Sequence, residues 1–150
     1  EDHGAAWTCS FADAGLPSTC GADVVAVAKG CLNEVSRQDV DLMIIELGDG
    51  LMGEYGVSEI LACPEIVSAT NAVVLAANDP VSAWGGSLLL KEMGHSLTVV
   101  TGPATDNAAG SDAIEARVGA VVANARTQAD LLGQVILQQL GFNGVTEGAA

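Results

Sequence analysis

A short apolar run, Leu42 to Ile45, constrains the fold more than any other part of this sequence. The run is too short for an ordinary helix, and it lacks the apolar–polar alternation of a strand with one solvated face. Its composition is typical of a strand buried on both faces of a parallel sheet. The run ends in Glu46 and opens into a glycine-spaced loop that contains Asp49. We therefore predict a strand over about 42–47, with Glu46 at its carboxyl end and Asp49 just beyond it, where such sheets bind ligands.

The rest of the chain alternates between strand-like and helix-like patterns. Three further apolar runs predict strands at 72–77, 97–101 and 120–123. Helical periodicity and end signals predict helices at 23–37, 58–62, 64–69, 81–93, 111–118 and 128–140. Strands that alternate with helices indicate a parallel sheet with right-handed crossovers. We expect an α/β fold in which residues 1–150 form a single domain, with a mostly parallel sheet of about four strands and helices on both faces.

The charge of the chain excludes several classes of partner. A formal net charge of −14 argues against binding to a nucleic-acid backbone or to an anionic membrane surface. No run reaches the roughly 18 apolar residues of a membrane span, and no signal peptide is recognisable. We expect a soluble, cytoplasmic protein, with a secreted form left open. Because the chain begins at Glu1 and not at Met, we expect a processed product or part of a longer protein.

Four cysteines, Cys9, Cys20, Cys31 and Cys63, form no CxxC pair and no zinc-binding spacing. Reduced structural thiols, two disulfides and metal ligation are the three alternatives for them. Cys31 lies within a helical pattern and is interpreted as a small core residue. We favour reduced thiols.

Polar residues follow every predicted strand. After the first strand come Glu46 and Asp49, after the second Asn78, after the third Thr105, Asp106 and Asn107, and after the fourth Asn124 and Arg126. Because the carboxyl ends of parallel strands share one edge of a sheet, we expect these side chains to converge on a crevice for a small molecule. Turn and helix-cap roles explain any single loop equally well. They explain less well why four consecutive exits are all so polar.

Particular roles follow from the chemistry of these side chains. Carboxylates suit Mg²⁺, so we expect Glu46 to bind this ion directly or through water, and Asp49 to share it. The alternatives are a Glu46 carboxylate bonded to loop amides and an Asx turn at Asp49. The guanidinium of Arg126 and the amide of Asn124 are expected to hold a phosphate, a carboxylate or the edge of a base. Alternatively, Arg126 pairs with an acidic residue.

At this point the sequence resembles a known family. The segment DLMIIELGDG is similar to the glutamate motif of the dethiobiotin synthetase and cobyrinic acid a,c-diamide synthase group of P-loop NTPases. The segment AVVLAANDPVSAWGGSLLLKEMGHSLTVV resembles their following strand–helix–strand unit, so the resemblance covers about 41–102. Glu46 and Gly50 match the motif, whereas Leu47 and Asp49 replace family glycines. The resemblance implies a three-layer P-loop fold, ATP and Mg²⁺ as cofactors, Mg²⁺ ligation by Glu46, and a base near the loop after the third strand.

The chain departs from this family at the phosphate cradle, since it contains no G-x-x-x-x-G-K-[ST]. The resemblance implies a ligase- or synthetase-like domain for a small carboxylate, completed by a P-loop on an upstream segment or a separate subunit. The alternative is a non-catalytic binding or self-assembly module of the same fold, acting as a homo-oligomer. A dinucleotide-binding Rossmann domain is disfavoured because no G-x-G-x-x-G follows a strand.

Overall fold

A computed structural model of the protein describes residues 4–19 and 23–142. The chain separates into two units, Glu1–Ser68 and Ala69–Ala150, which we call unit 1 and unit 2. Unit 1 carries α1 (Val24–Ser36) and α2 (Val57–Leu61), and α3 (Pro64–Ala69) ends at the boundary. Among the helices that are described, none combines the length and the apolar character needed to cross a membrane.

Unit 1 is built around α1. The helix begins after Asp23, whose carboxylate accepts a hydrogen bond of 3.1 Å from the backbone N–H of Ala26. This bond satisfies one of the free N–H groups of the first turn. The core of the unit is a cluster of small and aliphatic side chains from all three helices. Its buried members are Val24, Ala28, Ile60, Cys63 and Ile66, with Phe11, Val25, Leu32 and Leu47 packed against them.

The predicted strand over about 42–47 is wrong, because residues 42–48 adopt no regular secondary structure. The run is also exposed: Ile44 is 84% exposed, and Leu42 and Ile45 are 44% and 49% exposed. A strand needs a hydrogen-bonded neighbour, and the described part of unit 1 contains helices but no strand. Composition alone therefore does not produce a strand here.

Unit 2 is an α/β unit with a small parallel sheet. Its elements are β1 (Val74–Ala76), α4 (Pro80–Glu92), β2 (Val99–Thr101), a 3₁₀ turn (Pro103–Thr105), α5 (Ala108–Val118), β3 (Val121–Val122) and α6 (Ala129–Gln139). The strands lie in the order β1-β2-β3, and both pairs are parallel. The described residues thus confirm a parallel sheet with helical crossovers, with three strands in place of the predicted four.

The central strand β2 is covered on both faces. Val99 and Val100 are adjacent in the strand, so their side chains point to opposite faces of the sheet, and both are 0% exposed. Val100 lies in a cluster with Ala83 of α4 and Ile114 of α5, and these two helices pack against each other. The remaining helix, α6, also contacts β2. This arrangement is consistent with a three-layer fold.

Candidate functional site

The exits of β2 and β3 are joined by one buried side chain, Asn124, which is 3% exposed. Its amide nitrogen donates hydrogen bonds to Thr105 Oγ1 at 3.0 Å and to Asp106 Oδ1 at 2.8 Å. Its amide oxygen accepts from the backbone N–H groups of Arg126 at 2.9 Å and Thr127 at 3.1 Å. An amide has two donor hydrogens and two lone pairs, so all of its capacity is used. Asn124 therefore orients the two loops, and a ligand would reach its amide only by displacing one of these bonds.

The exit of β1 lies directly against the loop after β2. The Ala77 carbonyl accepts a 3.0 Å hydrogen bond from the Ala104 N–H, and the Ala77 N–H donates to the Thr101 carbonyl at 3.0 Å. Gly102, between these two strand exits, has a φ of +91°, and a Cβ built there would lie 2.7 Å from the Ala77 oxygen. Only glycine fits this close approach without a backbone shift. All three strand exits are consequently fixed by hydrogen bonds.

Two further side chains complete the network around Asn124. Gln128 Oε1 accepts from the Asn124 N–H at 3.0 Å, while the Gln128 N–H donates to the Asn124 carbonyl at 2.7 Å. Thr101 Oγ1 accepts from the Ala125 N–H at 3.0 Å. Sequence reasoning missed the role of Gln128. The signal that points to Gln128 is its position at a helix start, four residues after Asn124.

This network leaves an exposed carboxylate and an exposed guanidinium at the sheet edge. Asp106 and Arg126 are both exposed, and the only hydrogen bond to the Asp106 carboxylate from the described residues is the one from Asn124. Within the described part of the chain, the two salt bridges involve Lys29 and Arg37, so Arg126 forms none. The alternative, in which Arg126 pairs with an acidic residue, is thus not seen among the described residues. Both charged groups are available to a ligand.

The other predicted residues of this edge have different surroundings. Asn107 is the N-cap of α5, and its side-chain oxygen accepts from the Gly110 N–H at 2.9 Å. That oxygen is therefore occupied by the helix. Asn78, after β1, is exposed. Beside it, Asp79 forms a capping box with Ser82 and so belongs to α4.

Glu46 and Asp49 lie in unit 1, whereas the other predicted site residues lie in unit 2. Both carboxylates are exposed. The described residues contain no group of three or more His, Cys, Asp or Glu side chains arranged around a metal position. Mg²⁺ is commonly held by one or two carboxylates together with water and substrate phosphates, and two exposed carboxylates suit that donor chemistry.

Unit 1 also has a shallow acidic groove. Its lining includes the carboxylates of Asp23, Glu54 and Glu59. Asp23 is engaged as the cap of α1, and the Glu59 carboxylate accepts from Ser58 Oγ at 3.0 Å. The groove therefore offers little beyond negative charge.

The chemistry that the edge of unit 2 offers is narrow. Asp106 supplies a hydrogen-bond acceptor, Arg126 supplies donors with a positive charge, and Asn78 supplies an amide. Such a set fits a small planar ligand with both donors and acceptors, or an anion. Comparison of the chain with protein-family models, with curated proteins and with solved structures finds no match.

Proposed function

We propose that the protein binds a nucleotide, with its base at the carboxyl edge of the unit 2 sheet. In this proposal the chain is part of a ligase- or synthetase-like protein of the P-loop NTPase group that acts on a small carboxylate. The observation that supports the proposal is the exposed pair of Asp106 and Arg126 on loops that the buried Asn124 holds in place. The resemblance of the sequence to the dethiobiotin synthetase group supplies the nucleotide as the ligand.

The two exposed side chains suit different atoms of a base. One oxygen of Asp106 is bonded to Asn124, which leaves the other to accept a hydrogen bond from an exocyclic amine. The Arg126 guanidinium donates to a ring nitrogen, a carbonyl oxygen or a phosphate oxygen. Because the loops are already held by hydrogen bonds, little ordering accompanies binding, which favours affinity.

The chain offers fewer groups to bind the phosphates of the nucleotide than to bind its base. The chain lacks the P-loop sequence, so a phosphate cradle and its lysine would come from another segment or subunit. Mg²⁺ would supply charge neutralisation during phosphoryl transfer to the substrate carboxylate. As a separate proposal for unit 1, Glu46 and Asp49 bind a Mg²⁺ ion, and the chain alone does not hydrolyse ATP.

Isothermal titration with adenosine and with Mg-ATP tests the base site. Asp106→Asn keeps the acceptor for Asn124 but removes the charge, and it should weaken the binding of both ligands about tenfold. Asp112→Asn, an exposed aspartate in α5, is the matched control. Arg126→Ala should weaken binding similarly, with Arg37→Ala as its control. Absence of saturable binding at millimolar nucleotide, or equal losses in the control variants, would overturn the proposal.

The magnesium part is tested separately, with the metal alone. Titration of Mg²⁺ into the wild-type chain should give weak, saturable binding that Glu46→Gln abolishes, because a neutral amide is a poorer ligand than a carboxylate. Glu54→Gln in the same unit controls for the loss of one charge from a strongly acidic protein. Equal binding to wild type and Glu46→Gln would exclude Glu46 as a ligand.

A second candidate, self-association, is favoured by a specific observation in unit 1. Ile44 and Met52 are 84% and 86% exposed, and Leu42, Ile45 and Tyr55 are also exposed. Exposed apolar side chains that lie close together in a segment without regular secondary structure are a common site of contact with another chain. In this reading, the segment 42–55 binds a second copy of the protein.

Light scattering after size-exclusion chromatography separates the two functions. If 42–55 is the interface, the wild type is a dimer or larger, and Ile44→Asn shifts it to the monomer. Val81→Asn is the matched control, because Val81 is 72% exposed but lies in unit 2. A monomeric wild type at high concentration would eliminate self-association and leave the nucleotide proposal untouched.

A further inference from the structure

Two of the cysteines in unit 1 lie side by side. Cys31 is in α1, and its Sγ lies 3.7 Å from the backbone carbonyl oxygen of Ser10, the residue that follows Cys9. Cys9 is also close enough to Cys31 to contribute to the raised pKa of the Cys31 thiol. Both are free and half-buried. The described chain thus places the Cys31 thiol against the backbone beside Cys9, although the two cysteines are far apart in sequence.

The segment that carries Cys9 is held in place by its own contacts. The Ser10 N–H and Oγ donate to Asp13 Oδ2 at 2.8 Å and 2.7 Å. These hydrogen bonds lower the pKa of the Asp13 carboxyl. Phe11 packs against the core cluster of unit 1. The two residues that follow Cys9 are therefore held by polar contacts at Ser10 and by apolar packing at Phe11, which restricts the movement of the segment that carries Cys9.

We propose that Cys9 and Cys31 are a reversible redox pair, which a small-molecule disulfide such as oxidised glutathione converts to an intramolecular disulfide. One thiolate attacks a sulfur of the oxidant, forms a mixed disulfide and releases one glutathione thiol. The second thiolate then attacks the protein sulfur and releases the other glutathione. Two protein thiols are oxidised, and their two electrons and two protons end on two glutathione thiols.

The environment of Cys31 sets the order of these steps. Burial, and then the neighbouring Cys9 thiol, raise the pKa of Cys31. Cys31 therefore gives up its proton less readily than an ordinary thiol, and the first attack is assigned to Cys9. The second step is the attack of Cys31 on the mixed disulfide, and its rate should rise with pH.

Cys63 provides a contrast within the same unit. It is buried, and its thiol donates to Glu65 Oε2 at 3.1 Å. Its neighbours are the aliphatic residues of the core cluster. We expect Cys63 to stay reduced. Cys20 lies outside the described residues, so the experiment has to separate it from the pair.

Oxidation of the native protein in a glutathione buffer, followed by thiol counting and peptide mapping, tests the proposal. Four thiols are present in the reduced chain, and two should disappear with the loss of the mass of two hydrogen atoms. The mapped disulfide should join Cys9 to Cys31. A disulfide that involves Cys20 or Cys63, a disulfide between chains, or four remaining thiols would each overturn it.

A double variant, Cys20→Ser with Cys63→Ser, isolates the pair. It should reach the same oxidised fraction as the wild type at each glutathione ratio, whereas Cys31→Ser should form no intramolecular Cys9 disulfide. The same titration in urea measures the effect of folding. If the fold places the two sulfurs together, the effective concentration of the pair should be at least about tenfold higher in the native chain than in the unfolded chain. Equal values would show that the proximity has no chemical effect.

Discussion

The amide nitrogen of Asn124 lies 2.8 Å from Asp106 Oδ1 and binds the loop after β3 to the loop after β2. Asn124→Ala removes this bond, the bond to Thr105 and the two bonds from the following backbone N–H groups. A buried polar group that loses its partner is destabilising, so we expect a loss of about 2 to 4 kcal/mol in the free energy of unfolding. Urea denaturation with an unchanged m-value is the measurement.

Asn78→Ala is the control for this loss. Asn78 follows β1 and is exposed, so its truncation should change stability by no more than about 0.5 kcal/mol. If the two variants were equally stable, the Asn124 network would not hold the strand exits together. Asn124→Asp should be at least as destabilising as alanine, because it places a buried carboxylate beside Asp106.

The sequence predicts the positions of these exits but not the network that joins them. The three apolar runs that became β1, β2 and β3, and the helices between them, are local patterns that can be recognised without a structure. Asn124 was expected to face a ligand, whereas its amide is used by Thr105 and Asp106, which lie 19 and 18 residues earlier. The hydrogen-bond partners of these side chains depend on the register of the parallel strands, and no local sequence pattern encodes that register.

In the run Leu42 to Ile45, by contrast, the local pattern predicts a strand that does not form. Its composition matches a buried strand, but burial depends on a neighbour that supplies hydrogen bonds and an apolar face. Similarly, the helix predicted at 111–118, where Ser111 would be its cap, begins at Ala108 in the structure, and Asn107 is its N-cap. Both residues have the right chemistry for a cap, and the difference of one helical turn is set by tertiary packing.

The ion pair between Lys29 and Glu65 predicts a pH dependence of stability in unit 1. The Lys29 ammonium lies 2.7 Å from the Glu65 carboxylate. Its hydrogen bond, followed by that from the Cys63 thiol, lowers the pKa of Glu65 from 4.5 to about 2. A carboxyl group whose pKa is lowered by folding stabilises the folded state at pH values above its unfolded-state pKa. This contribution is lost as the pH falls through its folded-state pKa. The wild type should therefore lose its advantage over Glu65→Gln between pH 4.5 and about 2.

Denaturant midpoints of both proteins across this range of pH are the measurement. The pair is exposed, so the difference should be small and should shrink further in molar salt. Glu34→Gln is the matched control, because Glu34 forms an ion pair with Arg37 three residues away and joins no separate elements. A wild-type advantage that persisted below pH 2 would mean that Glu65 acts through packing and not through its charge.

The packing of Ile114 predicts the largest loss among aliphatic truncations in unit 2. Ile114 is 0% exposed and lies in the cluster that joins α4, α5 and the sheet. Ile114→Ala leaves a cavity and should lower the free energy of unfolding by about 2 to 5 kcal/mol. Leu88→Ala, at a position that is 45% exposed, should cost much less. Thermal and urea denaturation of both variants are the measurements. If Ile114→Ala lost no more stability than Leu88→Ala, Ile114 would not be central to the core.

Alanine substitutions at two glycines with positive φ distinguish the cost of backbone strain from the cost of a steric clash. Gly102 has φ +91° and ψ −172°, a region that only glycine populates readily. An added Cβ would also meet the Ala77 carbonyl at 2.7 Å. Gly119 has φ +71°, with no atom within 4 Å of its added Cβ. Gly119→Ala should therefore cost about 1 to 2 kcal/mol from strain alone, and Gly102→Ala about 3 kcal/mol or more. Urea denaturation of both variants measures the difference. If Gly102→Ala lost no more than Gly119→Ala, the close approach of the β1 and β2 exits, on which the candidate site depends, would be incorrect.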